Sequence, residues 1–298
     1  MDAGQRAAFR RDGYLVIPDA VPAAMLQEAN RLYDIELATN LGTKQGDQKG
    51  LKDARRHSIG VRPTSAVVDR HGNAYEGRRM WGAPFRYLVD NPAVMPIMRE
   101  ILGDPQYGHG LAQVSPEKRG CIRLDHDNVH YKPPAAAGLT SFDKGGGLHG
   151  NPDNWHVTCV YELRSVPAGK GGLGVIAGSH IAPFEQERVQ TMDEGWRSEW
   201  VDSPWTAPLA SWPADVPVHR LEGQAGACII FSEKLKHGTI PWSSETEERR
   251  TLFYKYAPYG MHHGDVGYDT TDPALTAEQR AIVEFSPEWY NASIGLER

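Results

Sequence analysis

The sequence has no run of eighteen or more apolar residues, so no membrane-spanning helix is expected. Cysteine is scarce. Cys121, Cys159 and Cys228 are odd in number and none stands in a CxxC pair, which argues against a disulfide framework or a cysteine zinc site. They read as reduced, buried thiols. The opening residues Met1-Asp2-Ala3-Gly4-Gln5-Arg6 lack the basic-then-apolar pattern of a secretory signal, so a cytoplasmic protein is expected. In that setting the glycosylation-like triplet Asn291-Ala292-Ser293 carries no meaning. Positive charge is also short. The 32 Lys and Arg residues face 38 Asp and Glu, a net charge of −6, which speaks against a nucleic-acid polymer as partner. A local basic pocket for a small anion remains compatible with that balance. Internal repeats and low-complexity segments are absent.

What is present fits an ordinary globular chain: 298 residues, 40% hydrophobic and 23% charged. Residues 2–12 read as a short helix capped by Asp2, and Tyr14-Leu15-Val16-Ile17 as a strand. Pro22 opens a second helix with Met25, Leu26, Ala29, Leu32 and Tyr33 on one face. Residues 40–80, polar and rich in Gly, Lys and Arg, read as a long loop or lid. A further helix runs from Pro92 to Leu102 and stops at Gly103. Short β-prone runs then follow at 120–124, 156–163, 172–176, 216–221, 226–232 and 250–257, separated by Gly, Pro and Asp. That texture predicts an antiparallel sandwich or barrel. Residues 183–215 hold four tryptophans and read as an insertion over one mouth of it. A last helix is expected at about 276–290. The whole reads as one domain over 1–298, with N-terminal helices and lid to about 110 and a β core over about 111–260.

Three ordered segments carry the chemistry. The first is Gly145-Gly146-Gly147-Leu148-His149-Gly150-Asn151. The second is Gly171-Gly172-Leu173-Gly174-Val175-Ile176-Ala177-Gly178-Ser179-His180. The third is Phe231-Ser232-Glu233-Lys234-Leu235-Lys236-His237-Gly238-Thr239, followed by Arg249-Arg250-Thr251-Leu252-Phe253. A metal ion held by side chains needs a few imidazole or carboxylate ligands brought together by the fold. One histidine alone is more often a surface or capping residue, and the chain has 12. The ordered context raises His149 and His237 above that background. Gly169 to Gly174 fits G-x-G-x-x-G literally, yet Gly178-Ser179 follows where a dinucleotide site needs a helix, so that reading is rejected. Asp125-His126-Asp127-Asn128-Val129-His130 is an alternative metal cluster, read instead as a strand and loop beside the mouth. His180, Trp155 and Trp242 read as packing or turn residues.

Together with Asp12-Gly13-Tyr14-Leu15-Val16-Ile17-Pro18, these segments resemble the phytanoyl-CoA dioxygenase family over nearly the whole chain. The resemblance implies a double-stranded β-helix, the cupin-like jelly roll, and an enzyme using Fe(II), 2-oxoglutarate and O2. It implies His149 and His237 as metal ligands. It also implies an Arg on the following strand that pairs with the far carboxylate of 2-oxoglutarate. Arg249 lies 12 residues after His237, near the family spacing. Arg250 is the alternative, because strand alternation points one of the two inward.

The family asks for Asp or Glu two residues after its first histidine, and this chain has Asn151. The arrangement resembles that of aliphatic halogenases, which carry Ala or Gly there and hold chloride in the vacated position. The resemblance therefore implies a halide site at Gly150 and Asn151, chloride as a cofactor, and chlorination of an unactivated C–H bond. Asp153 is an alternative carboxylate, and a 2-oxoglutarate-dependent hydroxylase is the alternative function. A jelly-roll binding module without iron is the non-enzyme alternative. Arg55, Arg56, Arg123, His130 and Lys132 offer cationic or polar groups near the expected mouth, against the plainer reading of a solvated charged surface. They point to a small anionic substrate. The likeness to free-standing nucleotide halogenases extends this to a purine deoxynucleotide, deoxyadenosine monophosphate.

Overall fold

The computed structural model describes residues 1–42, 61–68, 74–80, 82–107, 122–134, 150, 154–181, 217–258 and 268–284. The chain begins with α1 (Ala3–Asp12). Asp2 caps it in a reciprocal box with Gln5, as the acid at its start predicts. Gly13 ends it at φ 82°, a left-handed turn that turns the chain directly into β1 (Tyr14–Ile17). Helix α2 (Ala23–Gly42) follows. After α3 (Ala83–Val89) and α4 (Met95–Gly103), the remaining strands build the core.

Two sheets form the jelly roll. The larger is five-stranded, in the order β1-β8-β5-β10-β4. Its further members are β4 (Ile122–Lys132), β5 (Val157–Glu162), β8 (Cys228–Ser232) and β10 (Arg249–Pro258). The smaller has β6 (Gly172–Ile176) between β7 (Val218–Leu221) and β9 (His237–Ile240). All these pairings are antiparallel.

Period-two alternation sorts the side chains of the large sheet into two environments. Val160, Ile229, Phe231 and Phe253 face inward and pack with Leu173, Val175 and Leu221 of the small sheet. Cys159, Tyr161, Cys228, Ile230, Leu252, Tyr254 and Tyr256 face outward, under the helices. The two thiols are free and buried, as read from the sequence. Three outward tyrosines hold α3 through its carbonyls: Tyr254 donates to Phe85 O, Tyr161 to Leu88 O, and Tyr256 to Leu88 O and Val89 O. The bonds to Leu88 O and Val89 O satisfy main-chain acceptors that the end of a helix leaves open.

Where β10 meets β4 the register shifts once. Lys255 pairs with His126 and Tyr256 with Leu124, so Asp125 is an extra residue on β4. Its buried carboxylate lies 3.3 Å from His156 Nε2.

The structure corrects the reading of residues 40–80 as a loop. Val61–Val68 (β2) and Ala74–Met80 (β3) pair as an antiparallel hairpin, and α2 extends to Gly42. Val61, Val67 and Val68 are β-prone residues at paired positions of this hairpin, a local signal that the Arg and Gly around them obscure in the sequence. Helix α3 and strand β9 were not anticipated either, and β4 reaches Lys132 rather than ending near 124. The insertion at 183–215 lies outside the described residues. The final helix is Ala277–Val283 (α5), capped by Thr276.

Candidate functional site

Two polar clusters lie on the inner face of the large sheet. The first surrounds His237 at the start of β9. Ser232 begins a turn closed by Leu235 N donating to Ser232 O, which brings the chain round to β9. His237 is buried, with its ring centroid 4.6 Å from that of Phe231. Its Nδ1 lies 2.7 Å from Leu235 O and donates to it. A neutral imidazole held this way presents the lone pair of Nε2 to the interior. Burial lowers the His237 pKa and favours that neutral form, against the pull of Glu233.

Glu233 Oε2 stands 3.5 Å from His237 Nε2. The other oxygen, Oε1, accepts from the Thr158 hydroxyl and lies 3.0 Å from Lys255 Nζ. Burial alone would raise the Glu233 carboxyl; a protonated His237, together with Lys255 and the Thr158 hydroxyl, holds the group below the usual carboxylate range.

Gly150 packs against the same turn. A Cβ there would lie 2.5 Å from Leu235 O and 2.9 Å from Lys234 O, so the close approach requires glycine. Lys236 Nζ donates to Gly150 O at 3.0 Å. Gly150 is the chain neighbour of His149 and Asn151, and it is held beside the turn that carries His237. His149, Asn151 and Asp153 themselves lie outside the described residues.

The second cluster contains Arg249. Its Nη2 donates to Glu162 Oε1 at 2.8 Å, and Thr251 Oγ1 donates to Glu162 Oε2 at 2.5 Å. Arg249 is 1% exposed, and its Nε is a buried donor without a hydrogen-bond partner. An orphaned buried donor of this kind costs about 1–3 kcal/mol, which an anion reaching it would offset. Arg250 faces the other way. It pairs with Asp34 at 2.6 Å and Glu248 at 2.5 Å, and lies over the Tyr33 ring at 4.8 Å. Of the two arginines, Arg249 is the one inside the jelly roll.

Lys132 sits opposite Arg249 in the register and is buried. His130 pairs with Thr251, with its ring 4.4 Å from Phe253. These two residues therefore share the inner face with Arg249. Arg123 is placed elsewhere: its Nη1 donates 2.7 Å to Glu284 O at the end of α5. Arg55 and Arg56 lie outside the described residues. Of the alternative cluster at 125–130, Asp127 accepts from Tyr268 instead of joining the others, and no metal-holding group of three His, Cys, Asp or Glu occurs among the described residues. Trp242 closes the turn before β10 by donating to Glu247 O.

The motif reading overlooked Glu162, Glu233, Thr158 and Lys255. The signal for Glu162 was available, since an acid ending the buried run Val157-Thr158-Cys159-Val160-Tyr161 requires a cation inside the fold. Glu233 gave no such signal, because a turn residue is normally solvated.

His237 and Arg249 fit iron and 2-oxoglutarate. One offers a buried, oriented nitrogen lone pair, and the other a buried guanidinium with a donor to spare. Glu162 takes part of the Arg249 charge, so a cosubstrate carboxylate would share the guanidinium with it.

No curated protein is significantly similar to the chain in sequence. Solved structures share its fold. HygX from Streptomyces hygroscopicus, with nickel and 2-oxoglutarate bound, is 15% identical with a TM-score of 0.54, over 96% of this chain and 97% of that one. AviO1 from Streptomyces viridochromogenes Tue57 is 17% identical with a TM-score of 0.51, over 92% and 96%. SnoK, a non-heme alpha-ketoglutarate-dependent carbocyclase from nogalamycin biosynthesis, is 16% identical with a TM-score of 0.50, over 86% and 84%. The sequence pattern of the phytanoyl-CoA dioxygenase family matches residues 9–251.

Proposed function

The chain belongs to the phytanoyl-CoA dioxygenase family, and on that premise we propose that it is an iron(II)- and 2-oxoglutarate-dependent enzyme oxidising an aliphatic C–H bond of a small anionic molecule. The observation that carries this reading is the pair of buried, oriented groups inside one jelly roll: His237 Nε2 at one cluster and Arg249 at the other. His237 would hold the metal together with His149, and Arg249 would hold the far carboxylate of 2-oxoglutarate. Bound iron(II) supplies oxygen activation, with 2-oxoglutarate leaving as succinate and carbon dioxide. The residues of the chain orient and protect. The Leu235 carbonyl fixes the His237 ring, and Val160, Phe231 and Phe253 supply buried apolar packing on the same inner face.

The test is an anaerobic titration of iron(II) and 2-oxoglutarate, followed by oxygen uptake with candidate substrates. Both ligands should bind, and His149→Ala and His237→Ala should each lose the metal while remaining folded. Full binding in either variant refutes the assignment.

A second reading rests on Asn151. A neutral amide at the family's carboxylate position suits a site that takes chloride, with C–H chlorination as the outcome. Mass spectrometry of product formed with chloride, with bromide and with neither separates the two. A halogen pattern that follows the added salt supports chlorination, and a halide-independent hydroxylated product removes it. Lys132 and His130 on the inner face, with Arg55 and Arg56 from the sequence, support an anionic substrate, and deoxyadenosine monophosphate is the specific compound to try. Equal turnover of nucleoside and monophosphate would refute a phosphate requirement.

A further inference from the structure

We propose that Glu162 is a specificity-determining residue for the cosubstrate, because it already balances the charge of the arginine that meets the far end of a 2-oxo acid. This rests on the reading of Arg249 as the residue that holds 2-oxoglutarate. Glu162 ends β5, two residues after the inward Val160, and pairs with Thr251 in the register, so its side chain enters the jelly roll. There Oε1 accepts from Arg249 Nη2 at 2.8 Å, and Oε2 accepts from the Thr251 hydroxyl at 2.5 Å. Glu162, Thr251 and Arg249 are all buried.

The carboxylate is fixed where it stands. Its main chain is tied on both sides: Glu162 N donates to Ala227 O at 3.1 Å, and Gly226 N donates to Glu162 O at 2.8 Å. Both side-chain oxygens are committed, and a swing away from Arg249 would leave a buried cation without its counter-charge, which is strongly unfavourable. Glu162 therefore stays when a ligand arrives. The ligand meets Arg249 through a donor that is left over, the buried Nε, which has no hydrogen-bond partner.

The consequence is electrostatic. A buried guanidinium with no counter-charge attracts a carboxylate as a full charge and rejects an uncharged group in its place. Balanced by Glu162, the same guanidinium offers a hydrogen bond but sets two carboxylates on one cation, and these repel each other. The far carboxylate of 2-oxoglutarate then gains little over an uncharged tail of the same length. Lys132, opposite Arg249 in the register, is unchanged by any substitution at Glu162, so its charge drops out of the comparison.

The test compares 2-oxoglutarate with 2-oxopentanoate, which has the same chain length and no second carboxylate. Each is titrated anaerobically by calorimetry into iron(II)-loaded protein. The proteins are wild type, Glu162→Gln, and Arg249→Ala combined with Glu162→Gln. The amide of Glu162→Gln keeps an acceptor for Arg249 and removes the charge. Binding of 2-oxoglutarate should tighten about tenfold or more in Glu162→Gln, while that of 2-oxopentanoate changes by less than about threefold. A preference for 2-oxoglutarate that rises by less than about threefold in Glu162→Gln, yet is lost in the double variant, overturns the role of Glu162 and leaves Arg249 as the cosubstrate residue. The same preference in all three proteins refutes the Arg249 reading itself. If Glu162→Gln does not fold, the wild-type preference decides, because a site built around a polar partner rejects the analogue lacking it by about 10⁴-fold or more. A wild-type preference below about a hundredfold supports Glu162, and one above it overturns the proposal.

Discussion

Adjacent residues on one strand can have unrelated tasks, and Arg249 and Arg250 show it. Arg249→Ala should weaken 2-oxoglutarate binding by about thirtyfold or more, because losing one partner of a buried charge pair costs about 2–5 kcal/mol. The same change strands Glu162, so the matching protein is Arg249→Ala with Glu162→Gln. There stability should return while the cosubstrate affinity stays low, as read by anaerobic titration and thermal melting. Arg250→Ala should leave cosubstrate affinity within threefold and cost about 1.5–3 kcal/mol of stability, the worth of charged hydrogen bonds to Asp34 and Glu248. The sequence established that one of this pair points inward, since alternation allows no other arrangement. Choosing which one required the register against Glu162 and α2, which depends on contacts far apart in the chain.

Elements with a strong local signal were legible. The Asp2 cap, the apolar run of β1 and the β-rich texture after residue 120 all appear where the chain predicts them. Strand β9 was hidden because His237-Gly238-Thr239-Ile240 is short and contains glycine, and only its pairing with β6 makes it a strand. The hairpin β2–β3 was hidden by the charge around it. Two predictions belong at this scale. Gly150→Ala should cost about 1–3 kcal/mol by forcing the 234–235 turn outward. It should also weaken metal binding, with both effects measured on one preparation. Asp90, at the end of α3, accepts from Gln279 Nε2 of α5, and burial raises its pKa despite that bond. A carboxyl raised on folding destabilises the fold once pH exceeds the folded value, and the penalty fades as pH falls through the unfolded value of about 3.9. Asp90→Asn should therefore be more stable than wild type at neutral pH and equal to it below about pH 4 in denaturant titrations.

At the scale of the molecule, the jelly-roll class followed from the spacing of short strands. Its helical cover did not, because α3 is held by tyrosine hydroxyls from three strand positions that no local pattern links. Both clusters sit between the sheets, so ligands that fill them should bind the folded state alone. Iron(II) and 2-oxoglutarate at a hundred times their dissociation constants should each add about 2.7 kcal/mol, and together they should raise the melting temperature by more than either one. An unchanged midpoint under anaerobic saturation would contradict this.

The extra residue in β4 has a different kind of consequence. Removing one residue from the middle of a strand ordinarily turns every side chain beyond it to the wrong face. Asp125 is the exception, because it is the residue the ladder does not count: Leu124 and His126 already pair with consecutive residues of β10. A chain shortened by Asp125 alone should keep Leu124 under the helices and the ladder from His126 onward in register, losing the carboxylate beside His156 and little of the sheet. The strand thus carries a place where its length can change by one without its meaning changing, and insertions or deletions accumulated by relatives of this chain should concentrate there.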